Sequence, residues 1–226
     1  MSKEQNYHQY GLQEERKQFQ LERLILFSDA VFAIAITLLV IEIRVPEIEN
    51  TSQFTPAIKL ALYNMLPQFF GFILSFAVIG QFWLTHHKLF GHVTNYNNKL
   101  LRLNLLFLFW IVLVPFTSGL NSRYGNVDFV WMVYCLNLFF ISLSLILIYK
   151  YVGSAKWHLS NFSENKILLK HSITRAVLIA CVFLASAVFS IPNNIFFSYL
   201  SRFTFFLIPV VISVLNKRLK KQLTKH

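Results

Sequence analysis

The sequence predicts an all-α, polytopic membrane protein with six transmembrane helices and both termini cytoplasmic. Three observations predict it. Of the 226 residues, 55% are hydrophobic and 14% charged, with a mean hydropathy of +0.52. Soluble domains carry about 25% charged residues, so this chain cannot cover a water-facing surface. Its apolar residues also gather into uncharged stretches of about 20, the length a helix needs to cross a bilayer. The Lys and Arg residues sit at the ends of those stretches. Threaded from an inside N-terminus, sixteen fall on the cytoplasmic side and only Arg44, Lys59 and Arg123 on the other. So strong a positive-inside bias requires an even number of spans.

The same composition excludes other classes. With 7 Gly, 6 Pro and 24 Phe, the chain is neither collagen-like nor disordered. The alternating ten-residue strands of a membrane β-barrel are absent. Cys135 and Cys181 both lie in apolar runs, which argues against a disulfide framework or a thiolate metal site. The net charge of +11 is explained by anchoring and topology, so the expected partner of the basic residues is membrane lipid and not nucleic acid.

Residues 1–22 form a polar N-terminal segment, expected to be cytoplasmic. No short apolar core with a cleavage site marks a secretory signal, so the first apolar run is expected to stay as a membrane helix. Residues 12–23 lack Gly and Pro and can continue that helix into the cytosol. The six spans are expected at about 24–43, 66–90, 100–120, 129–150, 172–190 and 195–215. Pro67 begins the second span, and His86, His87 and Lys88 crowd its end. Pro115 and Pro209 are positioned to kink the third and sixth. The Ile-Pro-Asn-Asn turn at 191–194 joins the last two spans as a hairpin. Arg175 and Arg202 lie near predicted helix ends, where snorkelling is the simplest account. Asn137, Ser142, Ser144, Ser186 and Ser190 suit interhelical contacts. Residues 23–215 thus make one transmembrane domain, followed by a basic tail, 216–226, facing anionic lipid.

The first span, Arg23 to Ile43, carries the functional information. An ionisable group inside such a helix costs about 2.5–3.5 kcal/mol, so Asp29 requires a partner or water. Arg23, six residues earlier, could reach back towards it. At 100° per residue, Ile34, Leu38 and Ile41 share one face, Thr37 lies beside them, and Asp29 points about 140° away from Ile34. One face is therefore branched aliphatic with a single hydroxyl. Another carries a carboxylate that must be hydrogen-bonded. On spacing alone the aliphatic stripe fits lipid, neighbouring helices or a pore lining.

Arg23-x-x-x-Phe27-Ser28-Asp29, running straight into an apolar first helix, resembles the signature of the transmembrane protein 175 family. Six spans, cytoplasmic termini and Trp83-x-x-His86-His87-x-x-Phe90 at the end of the second span extend the resemblance over essentially the whole chain. The family comprises the lysosomal potassium channel of animals, with two six-helix repeats, and prokaryotic relatives with one, as here. The resemblance implies a potassium-selective leak-type channel in a bacterial inner membrane, without a cofactor and with potassium as the permeant ion. It implies a homotetramer whose first helices surround a central pore. Ile34 then corresponds to the hydrophobic constriction, Leu38 and Ile41 to further pore-facing positions, and Thr37 to a selectivity residue. Arg23, Phe27, Ser28, Asp29, Trp83, His86, His87 and Asn104 would support the pore helices by hydrogen bonds and packing. A TVGYG-type sequence is absent, so a carbonyl-lined filter is not expected.

Two other classes compete. A secondary transporter would use Asp29 as a coupling carboxylate, but matched interrupted helices are not visible. A membrane enzyme with a metal centre would need several histidine clusters, and the chain has 7 histidines, with His8, His158 and His226 in tails or loops. The His86, His87 and His92 group is better explained as interfacial hydrogen bonding. No nucleophile–base pair or phosphate loop is visible, so an enzyme is not expected.

Overall fold

In the computed structural model, residues 3–47, 54–163, 165–192 and 194–223 are described, with side-chain surroundings for 15–47, 54–162, 165–192 and 194–218. The turn residue Asn193, the tail residues Thr224–His226 and the side chains of Lys3, His8, Lys220 and Lys221 lie outside this set. Among the described residues the secondary structure is helical, and six stretches are long and apolar enough to cross a membrane. The chain is a multi-pass membrane protein.

Helix α1 runs without a break from Lys3 to Ile41, so the first span continues back through the polar segment. The hydropathy pattern marks only a connection before Pro67, yet α2 (Phe54–Asn64) stands there, followed after Met65 by α3 (Leu66–Phe90). Pro67 sits in the first turn of α3, where its missing N–H costs nothing, and the break before it follows. The third span divides in the same way. Helix α4 (Asn98–Val112) ends at Leu113 and α5 (Val114–Tyr124) begins with Pro115 in its first turn. Helix α6 (Asp128–Val152) is continuous. Helix α7 (Lys166–Phe189) starts six residues before the predicted 172, because the Asn165 side chain accepts from the Leu168 N–H at 3.2 Å and caps it. The sixth span comprises α8 (Ile195–Phe203), a 3₁₀ turn (Thr204–Phe206) ahead of Pro209, and α9 (Leu207–Leu223). Helix α9 carries on into the basic tail.

Helix α6 is the hub. Tyr134, Cys135, Leu138, Ile141, Leu145 and Ile148 are all buried along it, against α4, α5 and α7. Helix α1 packs beside it on α3, α4 and α5. At one end the α3–α4 and α6–α7 loops are tied together. Thr94 N–H donates to Leu159 O at 2.9 Å, Asn161 N–H to His92 O at 3.1 Å, and Asn97 Nδ2 to Tyr151 OH at 2.8 Å. Lys156 lies in these loops, and Lys88, Lys99, Arg102, Lys150, Lys166 and Lys170 flank them, all on the side to which the threading assigns the positive charge. At the other end, Arg202 of α8 meets the start of α6.

Candidate functional site

Helix α1 presents two unlike faces. Leu24, Ser28, Phe32, Ala35 and Leu39 are buried, the last three at 2% exposure or less. Phe27, Ile34, Leu38 and Ile41 are exposed at 51%, 58%, 39% and 67%. On a 3.6-residue wheel the exposed group, with Arg23, falls within about 60°, and the buried group centres about 120° away. The aliphatic stripe is therefore turned outward from the single chain, and Arg23 and Phe27 lie on that stripe.

What sets the rotation of α1 is a polar relay through three helices. Ser28 Oγ donates to Leu24 O at 2.8 Å within α1. Because a carbonyl only accepts, the Ser28 proton is committed, and the hydroxyl must accept from Asn104 Nδ2 of α4 at 2.9 Å. Asn104 Oδ1 is left as an acceptor and faces His86 Nε2 of α3 at 2.9 Å. His86 therefore carries its proton on Nε2, and its bare Nδ1 has no partner among the described residues. Ser28, His86 and Asn104 are fully buried. The imidazole lies parallel to Phe107 with ring centres 5.3 Å apart, and against Phe32 and Phe90.

Asp29 has its own support. Trp83 Nε1 donates to Asp29 Oδ1 at 2.9 Å, which answers the half-buried carboxylate from α3. Arg23 does not reach Asp29: among the described residues the ion pair is Arg202–Asp128 instead. His87 is exposed and packs on Trp83, with ring centres 5.6 Å apart. So Ser28, Asp29, Trp83, His86 and Asn104 meet on the buried side of α1, while Arg23 and Phe27 do not join them.

Thr37 is exposed, and its Oγ1 donates back to Ile34 O at 2.9 Å. With the proton turned inward, the oxygen lone pairs point outward beside the stripe. That is a cation-compatible arrangement, since a hydroxyl oxygen substitutes for a water ligand.

Several polar contacts are not visible in the sequence. Arg202 Nη1 meets Asp128 Oδ1 at 3.1 Å, its Nη2 donates to Gly125 O at 2.7 Å, and Ser198 Oγ also donates to Asp128. Arg175 Nη2 donates to Thr85 Oγ1 at 2.9 Å. Both arginines are thus engaged within the chain, where the sequence suggested snorkelling. Asn137 Nδ2 reaches Thr117 Oγ1 at 3.2 Å, and Ser186 accepts from Trp131 Nε1 at 3.1 Å while donating to Ser201 O at 2.6 Å. Ser142, Ser144 and Ser190 instead bond back to their own helices. Among the described residues no three His, Cys, Asp or Glu side chains cluster as metal ligands.

The family described as "Endosomal/lysosomal potassium channel TMEM175" matches residues 23–115, the stretch that holds the apolar second half of α1, Trp83, His86 and Asn104. Over these residues the chain is similar to the TMEM175 family. A protein named "Potassium channel" from Chryseobacterium is 40% identical over 96 residues, covering 42% of this chain and 46% of that protein. Another of that name from Streptomyces collinus is 37% identical over 106 residues, 47% of this chain and 50% of the relative. The chain thus matches about half the length of these curated relatives. The fold extends further. The crystal structure of a lysosomal potassium-selective channel TMEM175 homolog from Chamaesiphon minutus superposes with a TM-score of 0.71 at 24% identity, covering 87% of this chain and 98% of that one.

Proposed function

We propose that this chain belongs to the TMEM175 family and forms a potassium-selective, leak-type ion channel in the cell membrane, as a homotetramer whose α1 helices line a central pore. Residues 1–22 and 216–226 would be its cytoplasmic flanks and 23–215 the channel domain. The observation that carries this reading is the outward stripe of Ile34, Leu38 and Ile41, opposite a face held by buried hydrogen bonds. An ordinary lipid-facing helix has no need of such polar fixing, whereas a pore helix must hold one rotation.

Four Ile34 side chains meeting on an axis form a ring without ion ligands, and such a ring gates by dewetting. Potassium passes more readily than sodium because the larger ion gives up water at lower cost. Thr37, three residues on, supplies oxygen lone pairs for the lost waters, and Leu38 and Ile41 continue the dry lining. Ser28, Asp29, Trp83, His86 and Asn104 hold the helix from behind. Arg23, Phe27 and His87, exposed in the single chain, are available for contacts between subunits. The alternative, a transporter coupled through Asp29, is disfavoured by the Trp83 bond that occupies this carboxylate.

The test is a reversal potential across proteoliposomes with potassium on one side and sodium on the other. The expected result is a shift towards the potassium equilibrium potential, larger currents in Ile34→Asn, and weaker discrimination in Thr37→Ala. Saturable uptake without unitary currents, abolished by Asp29→Asn alone, would overturn the channel reading in favour of the transporter.

A further inference from the structure

Away from the α1 stripe, α3, α6, α7 and α9 enclose a cavity of about 270 Å³. Its walls are apolar, with Leu74, Phe82, Leu145, Ile179, Phe183 and Ile212 among them. Along α3 the lining runs from Leu74 to Thr85, a rise of about 16 Å at 1.5 Å per residue. That is about half of a ~30 Å hydrocarbon core, the depth of one leaflet. Ala77, on the lining, is itself exposed, so the slot opens sideways towards the membrane.

At its Thr85 end the slot meets a second, polar cavity of about 320 Å³, and Thr85, Ser172 and Arg175 line both. The second cavity also receives Lys88, His171 and Asn216, and among the described residues no carboxylate lines either cavity. Arg175 is half-buried, nine residues into α7. It donates to Thr85 Oγ1, whose own proton goes to Gln81 O at 2.8 Å. Among the described residues it has no ion-pair partner. A guanidinium at this depth is costly unless an anion or water meets it, and its planar fork matches a phosphate. His171 does not supply the counter-group, since its Nε2 donates to Leu215 O at 3.0 Å.

The geometry points to a binding site for one anionic phospholipid, taken from the leaflet on the Lys- and Arg-rich side. An acyl chain fills the slot beside α3, and the headgroup phosphate meets Arg175 and Lys88. A soluble anion leaves the apolar slot empty. A zwitterionic headgroup brings its own cation against two others. Only an anionic amphiphile matches both halves. The site lies off the α1 face, so it does not rest on the channel reading.

The purified full chain in detergent is mixed with phosphatidylglycerol or phosphatidylcholine and retained lipid is counted by native mass spectrometry. Phosphatidylglycerol is expected to bind about tenfold more tightly than phosphatidylcholine, a difference equal to about 1.4 kcal/mol. Arg175→Gln with Lys88→Gln should remove that preference. Ala77→Phe, which narrows the exposed mouth of the slot without touching either cation, should weaken both lipids. Thermal midpoints identify a misfolded variant, and the Ala77→Phe arm stands if the charge variant is lost. Equal retention of the two lipids, or unchanged phosphatidylglycerol binding in both variants, overturns the proposal. So does full displacement by inorganic phosphate, which would mark a site for soluble anions.

Discussion

Replacing Asn104 with leucine removes the middle of the Ser28–Asn104–His86 relay while keeping a side chain of similar volume. His86 Nε2–H then loses its acceptor in a fully buried position. Ser28 keeps its bond to Leu24 O and is not stranded. A buried donor left without a partner costs about 1–3 kcal/mol, whereas interhelical hydrogen bonds in a membrane average about 0.6 kcal/mol. The stranded group is flanked by Phe32, Phe90 and Phe107, none of which offers a side-chain oxygen, so the loss should fall near 1–2 kcal/mol. Ser28→Ala should cost about 1 kcal/mol by stranding one Asn104 N–H. In the double variant that N–H no longer exists, so Ser28→Ala should add almost nothing to Asn104→Leu. Chemical unfolding in micelles, followed by near-ultraviolet circular dichroism, measures all three. Strictly additive costs would refute the relay and its assigned direction.

Three further outcomes follow from other contacts. Trp83→Phe removes the donor to Asp29 Oδ1 and should cost about 1–2 kcal/mol; adding Asp29→Asn should recover part of that loss in the same unfolding assay, and no recovery would deny the pairing. Arg202→Met leaves Asp128, 10% exposed, beside Ser198 without its cation, and should destabilise by about 1–3 kcal/mol, less than a fully buried pair because Arg202 is 31% exposed. Asp128→Leu combined with it should be closer to the parent than Arg202→Met alone. Gly153→Ala places a Cβ 2.9 Å from the Tyr149 carbonyl and against Leu169, so a lower thermal midpoint is expected; Gly71→Ala, with open space around it, should be neutral or gain up to about 1 kcal/mol.

The six spans are legible because a bilayer imposes one length on every crossing, and Pro115 is legible as a break because its chemistry is local. The helix α2 is not, since its eleven residues are too few to cross and their helicity shows no separate hydropathy peak. The polar residues of the first two spans can be singled out from sequence, but their partners cannot. Asp128 and Arg202 are 74 residues apart, and no local pattern links them, so an arginine that closes an ion pair reads as one that snorkels. The two faces of α1 show the same limit. Ile34, Leu38 and Ile41 form a stripe at helical spacing, but so do Phe32, Ala35 and Leu39. In water the more apolar stripe would be the buried one. In lipid both are equally at home, and hydropathy does not tell them apart.

Polar contacts therefore decide what apolar periodicity leaves open. Packing against lipid or helix gives α1 little rotational preference, because either stripe is apolar. Turning it by about 40° moves its Cα atoms by about 1.6 Å, given a radius of about 2.3 Å, and side-chain tips by more. The Asn104–Ser28 bond, at 2.9 Å, does not survive such a displacement, nor does the Trp83–Asp29 bond from a second helix. Two bonds from two helices, on adjacent residues about 100° apart around α1, resist rotation in both directions. Ser28 and Asp29 thus determine which side chains stand on the open face at Ile34, Leu38 and Ile41, further along the same rigid helix. In the proposed tetramer the effect would repeat in every subunit, so a rotation that widened or narrowed the proposed isoleucine ring would first have to break these contacts. Variants that weaken the relay should consequently alter current and stability together, while Ile34 variants should alter current alone.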